Sequence, residues 1–120
     1  MLDYAHLQTL AAIHRRGSFD LAAAQLGLTR EWAAAFAPHG VRVNAVAPGT
    51  IATELAARAV LTSDDARRKI MSRTPMKRLG EPGEIADVVA WLASDAAGYV
   101  TGEIVTVDGG RMTLNYTVPV

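Results

Sequence analysis

The residues best placed to do chemistry stand at the end of one apolar run, in the stretch VRVNAVAPGTIAT from Val41 to Thr53. Pro48 has no N–H to give to a β-ladder and ends the run, and Gly49 lets the chain turn while bringing bare backbone close to whatever lies beyond. Open α/β sheets bind their ligands beyond the carboxyl ends of the strands. The Pro48–Gly49 turn is therefore where a ligand would sit. Other reactive side chains offer less. His6, His14 and His39 are not spaced as a metal pair and read as surface or helix-face residues. Asp64-Asp65 reads as a helix cap rather than a general base. Gly109-Gly110 follows a strand but opens no dinucleotide fingerprint. The chain has no cysteine, hence no disulfide, thiolate nucleophile or zinc-thiolate site. No metal site and no catalytic residue is expected.

The elements that must position this turn follow from pattern. Val41, Val43 and Val46 with Ala45 and Ala47 form a strand of the kind covered on both faces, interrupted by Arg42 and Asn44. Ahead of it, Arg30 to Ala37 reads as helical with Trp32, Ala33 and Phe36 as its apolar face, ended by Pro38-His39-Gly40. Further upstream, Leu7, Leu10, Ala11 and His14 lie at helical spacing before Gly17. Ser18 then caps a second helix with Ala22, Ala23 and Leu26 on one face, stopped by Gly27. Downstream, Glu54 to Val60 is alanine-rich and helical, and Thr62-Ser63-Asp64 starts a helix through about Ser72. Glu81-Pro82-Gly83-Glu84 opens a helix whose core face is Ile85, Val88, Val89 and Leu92, with Trp91 at its border. Glu103 to Val107 is a short strand ended by Asp108-Gly109-Gly110. Met71, Met76 and Leu79 read as packing residues. Lys69, Arg73, Lys77 and Arg78 read as a solvated basic face, because Glu81 and Glu84 are close in sequence.

At 120 residues with 50% hydrophobic content, the chain can bury a core. It is too short for a complete dinucleotide-binding sheet. Twelve cationic side chains balance twelve anionic ones, so no overall field draws in nucleic acid or anionic membrane. No apolar run approaches the ~20 residues that span a bilayer. The N-terminus lacks the form of a signal peptide, and a cytoplasmic location is expected.

From about Leu28 onward the chain resembles the C-terminal half of a short-chain dehydrogenase/reductase. The resemblance is carried by REWA, PHGVRVNAVAPGTIAT and RLGEPGEIADVVAWLASDAAGYVTGEIVTVDGG. It implies a fold and a site. The fold is α/β, a truncated Rossmann-like fragment of two parallel strands with helices, preceded by a helical hairpin. NAD or NADP is the implied cofactor, with Pro48 and Gly49 shaping the nicotinamide pocket. The Ile51 backbone would meet the carboxamide, and Thr53 would bond the carboxamide or phosphate. The region from Glu54 through about Ser72 corresponds to the family's flap over the substrate. Hydride transfer in that family needs a tyrosine with a lysine four residues later, so that both lie on one helical face and the cation lowers the phenol pKa. Here Tyr4 is followed at that spacing by Gln8, Tyr99 by Glu103 and Tyr116 by Val120. The family's glycine-rich phosphate loop is also missing, so a small-molecule substrate is expected only if the missing half is supplied.

The opening LDYAHLQTLAAIHRRGSFDLAAAQLGLT resembles the helix-turn-helix start of the LysR-type transcriptional regulators, through Leu7, Leu10, Gly17, Ser18, Phe19, Ala22, Ala23, Leu26 and Thr29. The recognition helix that should follow is replaced by REWAAAFA, which offers little to read a base edge with. DNA is accordingly not an expected partner. The domain reading is a helix-turn-helix-like segment over 1–29 and a dehydrogenase fragment over 30–120. The chain reads as a chimera, and a homo-oligomer is expected because the strand from Val41 would have one open edge.

Overall fold

The computed structural model describes residues 9–13, 19–60 and 62–114. In chain order the elements are β1 (Thr9–Ile13), α1 (Phe19–Phe36), β2 (Arg42–Pro48), α2 (Glu54–Val60), α3 (Asp64–Met71), α4 (Pro82–Ala93) and β3 (Ile104–Val107). The three strands form one sheet in the order β1-β2-β3. β1 runs parallel to β2, with Thr9 opposite Arg42 and Ile13 opposite Val46. On the other edge, Ala45 N–H donates to Glu103 O and Gly49 N–H to Val107 O. The advance is four residues on each strand, as in a parallel pair. The architecture is α/β with parallel strands, as the sequence pattern requires.

Two parts of the N-terminal expectation are overturned. The helix read over Leu7 to His14 is strand β1 where the structure describes it, so among the described residues no helical hairpin precedes β2. TLAAI is a short, continuous apolar run, which periodicity cannot assign. β2 has a second edge of N–H and C=O groups to satisfy, and a two-stranded sheet is marginal alone. Pairing across more than thirty residues of sequence outweighs local helical spacing. The edge of β2 expected to be open is thus occupied. Gly27, in turn, does not stop a helix: α1 runs through it and through Leu28-Thr29. A solvent-facing glycine costs a helix only ~1 kcal/mol, and nothing lies within 4 Å of where its Cβ would be. Leu7, His14, Gly17 and Ser18 fall outside the described residues.

The described chain separates into two compact units. The first takes in residues up to Ala47 and Ala86–Val105. Its core is Val43, Ala45 and Val46 of β2 with Ala33, Leu92 and Ala97. Among residues 27–36 of α1, Thr29 and Ala33 are buried, and Ala33 Cβ would stand 3.3 Å from a Cβ at Gly102. Trp32 and Phe36, expected inside with Ala33, are instead 43% and 44% exposed. Ahead of β2 the chain leaves α1 by a 3₁₀ turn over Ala37–His39, closed by Gly40 at φ 73°.

Asn44 is a polar residue in this core and is fully buried. Its Nδ2 donates to Val100 O at 3.0 Å, and its Oδ1 accepts from Glu103 N–H at 3.1 Å. Thr101 Oγ1 accepts from Val43 N–H, and Gly102 N–H donates to Val43 O. Arg42 adds a bond from Nη1 to the same Val100 carbonyl and one from Nη2 to Ser94 O. Side chains of β2 thereby fix the segment that leads into β3, which sets the register of the last strand.

The second unit comprises Pro48–Ile85 and the chain from Thr106 onward. Its helices carry caps that their sequences announce. Ser63 Oγ accepts from Ala66 N–H at the start of α3, whose first turn holds Asp64 and Asp65. Glu84, in the first turn of α4, returns to accept from Glu81 N–H at 2.8 Å, half of a capping box. No helix among the described residues is long and apolar enough to cross a membrane.

Candidate functional site

The segment from Pro48 to Thr53 joins the end of β2 to the start of α2 and lies wholly in the second unit. Gly49 is a glycine because of its neighbour rather than its torsion angle. A Cβ there would stand 2.7 Å from Asp108 Cα, 2.9 Å from Asp108 Cβ and 3.1 Å from Asp108 O. The bare backbone foreseen at this turn is used to let the end of β3 come close.

Ile51 forms a parallel bridge with Gly80. Its bonds are made by the flanking residues: Gly80 N–H donates to Thr50 O at 3.0 Å and Ala52 N–H to Gly80 O at 2.8 Å. In such a bridge the central residue's own N–H and C=O point to the opposite side. The Ile51 carbonyl accepts from Thr53 N–H at 2.8 Å. The Ile51 N–H has no hydrogen-bond partner among the described residues. Thr53 has a structural task of its own, as the N-cap of α2: its Oγ1 accepts from Ala56 N–H at 3.2 Å and its carbonyl from Ala57 N–H at 2.8 Å. That bond uses a lone pair and leaves the hydroxyl proton to donate.

Asp108, which sequence reasoning treated as a strand-ending turn residue, organises the far side of this turn. Its Oδ1 accepts from Gly110 N–H at 2.9 Å and its Oδ2 from Met112 N–H at 2.8 Å, so both oxygens hold the following 3₁₀ turn. Gly109 and Gly110 have φ of 65° and 87°, angles that L side chains rarely adopt. Gly109 O accepts from Met76 N–H, and Arg111 Nη1 donates to Thr50 Oγ1. An Asp two residues before a glycine and four before the last bonded N–H is the signal that could have revealed this.

Gly49 and Ile51 border a cavity of about 100 Å³, with Thr50, Met76, Glu84 and Asp108 also in its wall. Pro48 and Thr53 do not line it. It holds a few waters at most and is well below the ~300–1,000 Å³ of ligand pockets. At its rim Arg78 and Glu84 form a bidentate pair, Nη1 to Oε2 at 2.8 Å and Nη2 to Oε1 at 2.6 Å. The guanidinium's hydrogen bonds, with that from Glu81 N–H, hold the Glu84 carboxyl at about 2, and the carboxylate in turn raises the Arg78 pKa. Tyr99 is fully exposed. Tyr4 and Tyr116 lie outside the described residues.

The sequence pattern of a family described as enoyl-(acyl carrier protein) reductase matches residues 20–112. The chain belongs to the short-chain dehydrogenase/reductase family. The match takes in residues 20–29, and the regulator resemblance of the first residues finds no support. Among relatives, the protein FixR of Bradyrhizobium diazoefficiens is 47% identical over 89 residues, covering 74% of this chain and 30% of FixR. Among solved short-chain dehydrogenase/reductase structures, a 4-hydroxyisoleucine dehydrogenase complexed with NADH superposes with a TM-score of 0.82 at 26% identity, covering 89% of this chain and 48% of that one. A putative 2-deoxy-D-gluconate 3-dehydrogenase from Agrobacterium tumefaciens with bound NADP gives 0.79 at 32% identity, covering 88% and 47%. The chain thus spans about half the length of these structures and less than a third of FixR.

Proposed function

We propose that this chain forms the nicotinamide-facing wall of an NAD(P)-dependent short-chain oxidoreductase. The observation that carries the reading is the unpartnered Ile51 N–H, which the Ile51–Gly80 bridge turns outward. A fixed backbone donor suits the carboxamide oxygen of the nicotinamide. The Thr53 hydroxyl donates to the carboxamide or a phosphate without giving up the cap of α2. Pro48 and Gly49 shape the ring pocket. When bound, the cofactor supplies or accepts hydride. The residues of this chain orient it and bear no proton-transfer role, because no tyrosine precedes a lysine at the required spacing. With the phosphate loop also missing, the chain alone binds the cofactor weakly and does not turn over a substrate.

The test is a nitrogen-15 NMR titration of the chain with NADH and NADPH, with ADP-ribose as the control lacking the nicotinamide. The Ile51 amide should shift with the nicotinamide-bearing molecules and not with ADP-ribose. No shift, or an equal one with all three, refutes the reading. Self-association, which loses its open-edge ground because β1 pairs with β2, is left with α4 as its surface, where Trp91 is half-exposed. Light scattering at micromolar concentration separates a dimer from a monomer. The DNA-binding alternative has lost a requirement, since a strand stands over Thr9–Ile13 in place of its first helix.

A further inference from the structure

Between Arg67 and Arg78 the chain carries six cations, Arg67, Arg68, Lys69, Arg73, Lys77 and Arg78, and no acid. Lys69, Arg73, Lys77 and Arg78 of this stretch were expected to form a solvated basic face, with Glu81 and Glu84 close in sequence. The structure divides it. Both oxygens of Glu84 are engaged by Arg78, and one also accepts from Glu81 N–H. Arg67, Arg68, Lys69 and Arg73 are exposed and make no side-chain hydrogen bond or ion pair among the described residues. The nearest acids in sequence, Asp64 and Asp65, sit in the first turn of α3, where they offset the helix dipole without closing an ion pair on these cations. Asp64, Arg67, Arg68 and Met71 recur on α3 at spacings of three and four, and together they line an open shelf of about 280 Å³.

We propose that this shelf binds the anionic group of a small-molecule substrate, a phosphate ester or a carboxylate. The proposal rests on the oxidoreductase reading, in which α3 belongs to the flap over the substrate. The two guanidiniums that line the shelf carry planar pairs of N–H donors, the geometry that matches the oxygens of a phosphate or carboxylate bidentately. With Asp64 beside them the local charge is +1, enough to attract an anion. Asp64 also supplies an acceptor for a hydroxyl next to the anionic group. Met71 gives the carbon skeleton an apolar contact. The shelf is near the lower limit of ligand pockets, ~300 Å³, so the fitting molecule is of the size of a short polyol or sugar acid.

The purified chain is titrated with glycerol 3-phosphate, glycerate and glycerol while the backbone amides of residues 64–71 are followed by NMR. Saturable shifts confined to that helix are expected with one or both anions and not with glycerol. The two anionic arms distinguish a phosphate from a carboxylate site. Each lost charged hydrogen bond is worth about a tenfold change or more, so R67Q/R68Q should weaken binding at least about tenfold while K69Q leaves it unchanged. Shifts that rise linearly without saturation, that glycerol reproduces, or that survive in R67Q/R68Q overturn the proposal. The same spectra report the Ile51 amide. Saturation at residues 64–71 with a silent Ile51 on adding NADH would sink the cofactor reading and leave the shelf standing, and the converse would sink the shelf alone.

Discussion

Replacing Gly49 by alanine tests whether this turn is built on a close approach of two backbones. The new Cβ would stand 2.7 Å from Asp108 Cα, with two further Asp108 atoms at 2.9 and 3.1 Å. Backbone cannot swing aside as the tip of a long side chain can, so β2 and the end of β3 must part by several tenths of an ångström. Overpacking of this kind costs about 1–3 kcal/mol. The bond from Gly49 N–H to Val107 O, now 2.9 Å, lies on the same seam, and weakening it adds up to ~1 kcal/mol. The expected loss is about 1–4 kcal/mol, a large part of the ~5–15 kcal/mol of a typical domain. It should appear in urea unfolding followed by far-ultraviolet circular dichroism, and as a fall in Tm of roughly 5–20 °C. Asp108→Gly should not rescue it. That change removes one of the three close atoms, leaves the Cα and the carbonyl, and discards the carboxylate that holds Gly110 and Met112. A loss under ~0.5 kcal/mol, the scale of ordinary surface substitutions, or a double variant as stable as the parent, would refute the packing argument.

Asn44→Asp puts an acceptor where Nδ2 now donates to Val100 O, in a fully buried position. The expected loss is about 2–4 kcal/mol at neutral pH. It should shrink at acid pH, because burial raises the new carboxyl's pKa and the protonated form regains a donor. Urea unfolding at two pH values checks this, and a pH-independent loss would contradict it. Glu84 has a folded pKa of about 2, below the ~4.3 of a free glutamate. Its contribution is therefore complete above the unfolded value and is lost as pH falls through that window toward 2. Glu84→Gln should remove this part of the acid sensitivity, so that the two curves of Tm against pH converge below pH ~4.3. Curves that stay parallel down to pH 2 would show that the pair is neutral to folding.

Local chemistry made much of this molecule legible. The β-branched run before Pro48 is a buried strand, Ser63 caps α3, and Pro82 with the nearby glutamates starts α4, because each signal is contained within a few residues. β1 was not legible, since TLAAI becomes a strand only through a ladder to a partner more than thirty residues away. The inward face of α1 was misread for a related reason. A helix face is defined by what packs on it, and here small residues, Thr29 and Ala33, face inward while Trp32 stays at the surface. At the candidate site, sequence singled out the segment after β2 that carries Pro48, Gly49, Ile51 and Thr53. It could not show that Gly49 answers to Asp108, or that the Ile51 N–H is left without a partner among the described residues, because these depend on Asp108 and Gly80 arriving from elsewhere in the chain.

Both tryptophans of the chain, Trp32 and Trp91, belong to the first compact unit, and each is nearly half exposed. Indole fluorescence is therefore a reporter of one unit, and the turn at Gly49 lies in the other, which is spectroscopically silent in that channel. A perturbation at Gly49 that melted its own unit would leave the emission unchanged until the first unit followed. Coincidence of probes is the test of all-or-none unfolding. In this molecule the comparison of emission with calorimetry or circular dichroism doubles as a measurement of whether the two units share a single transition.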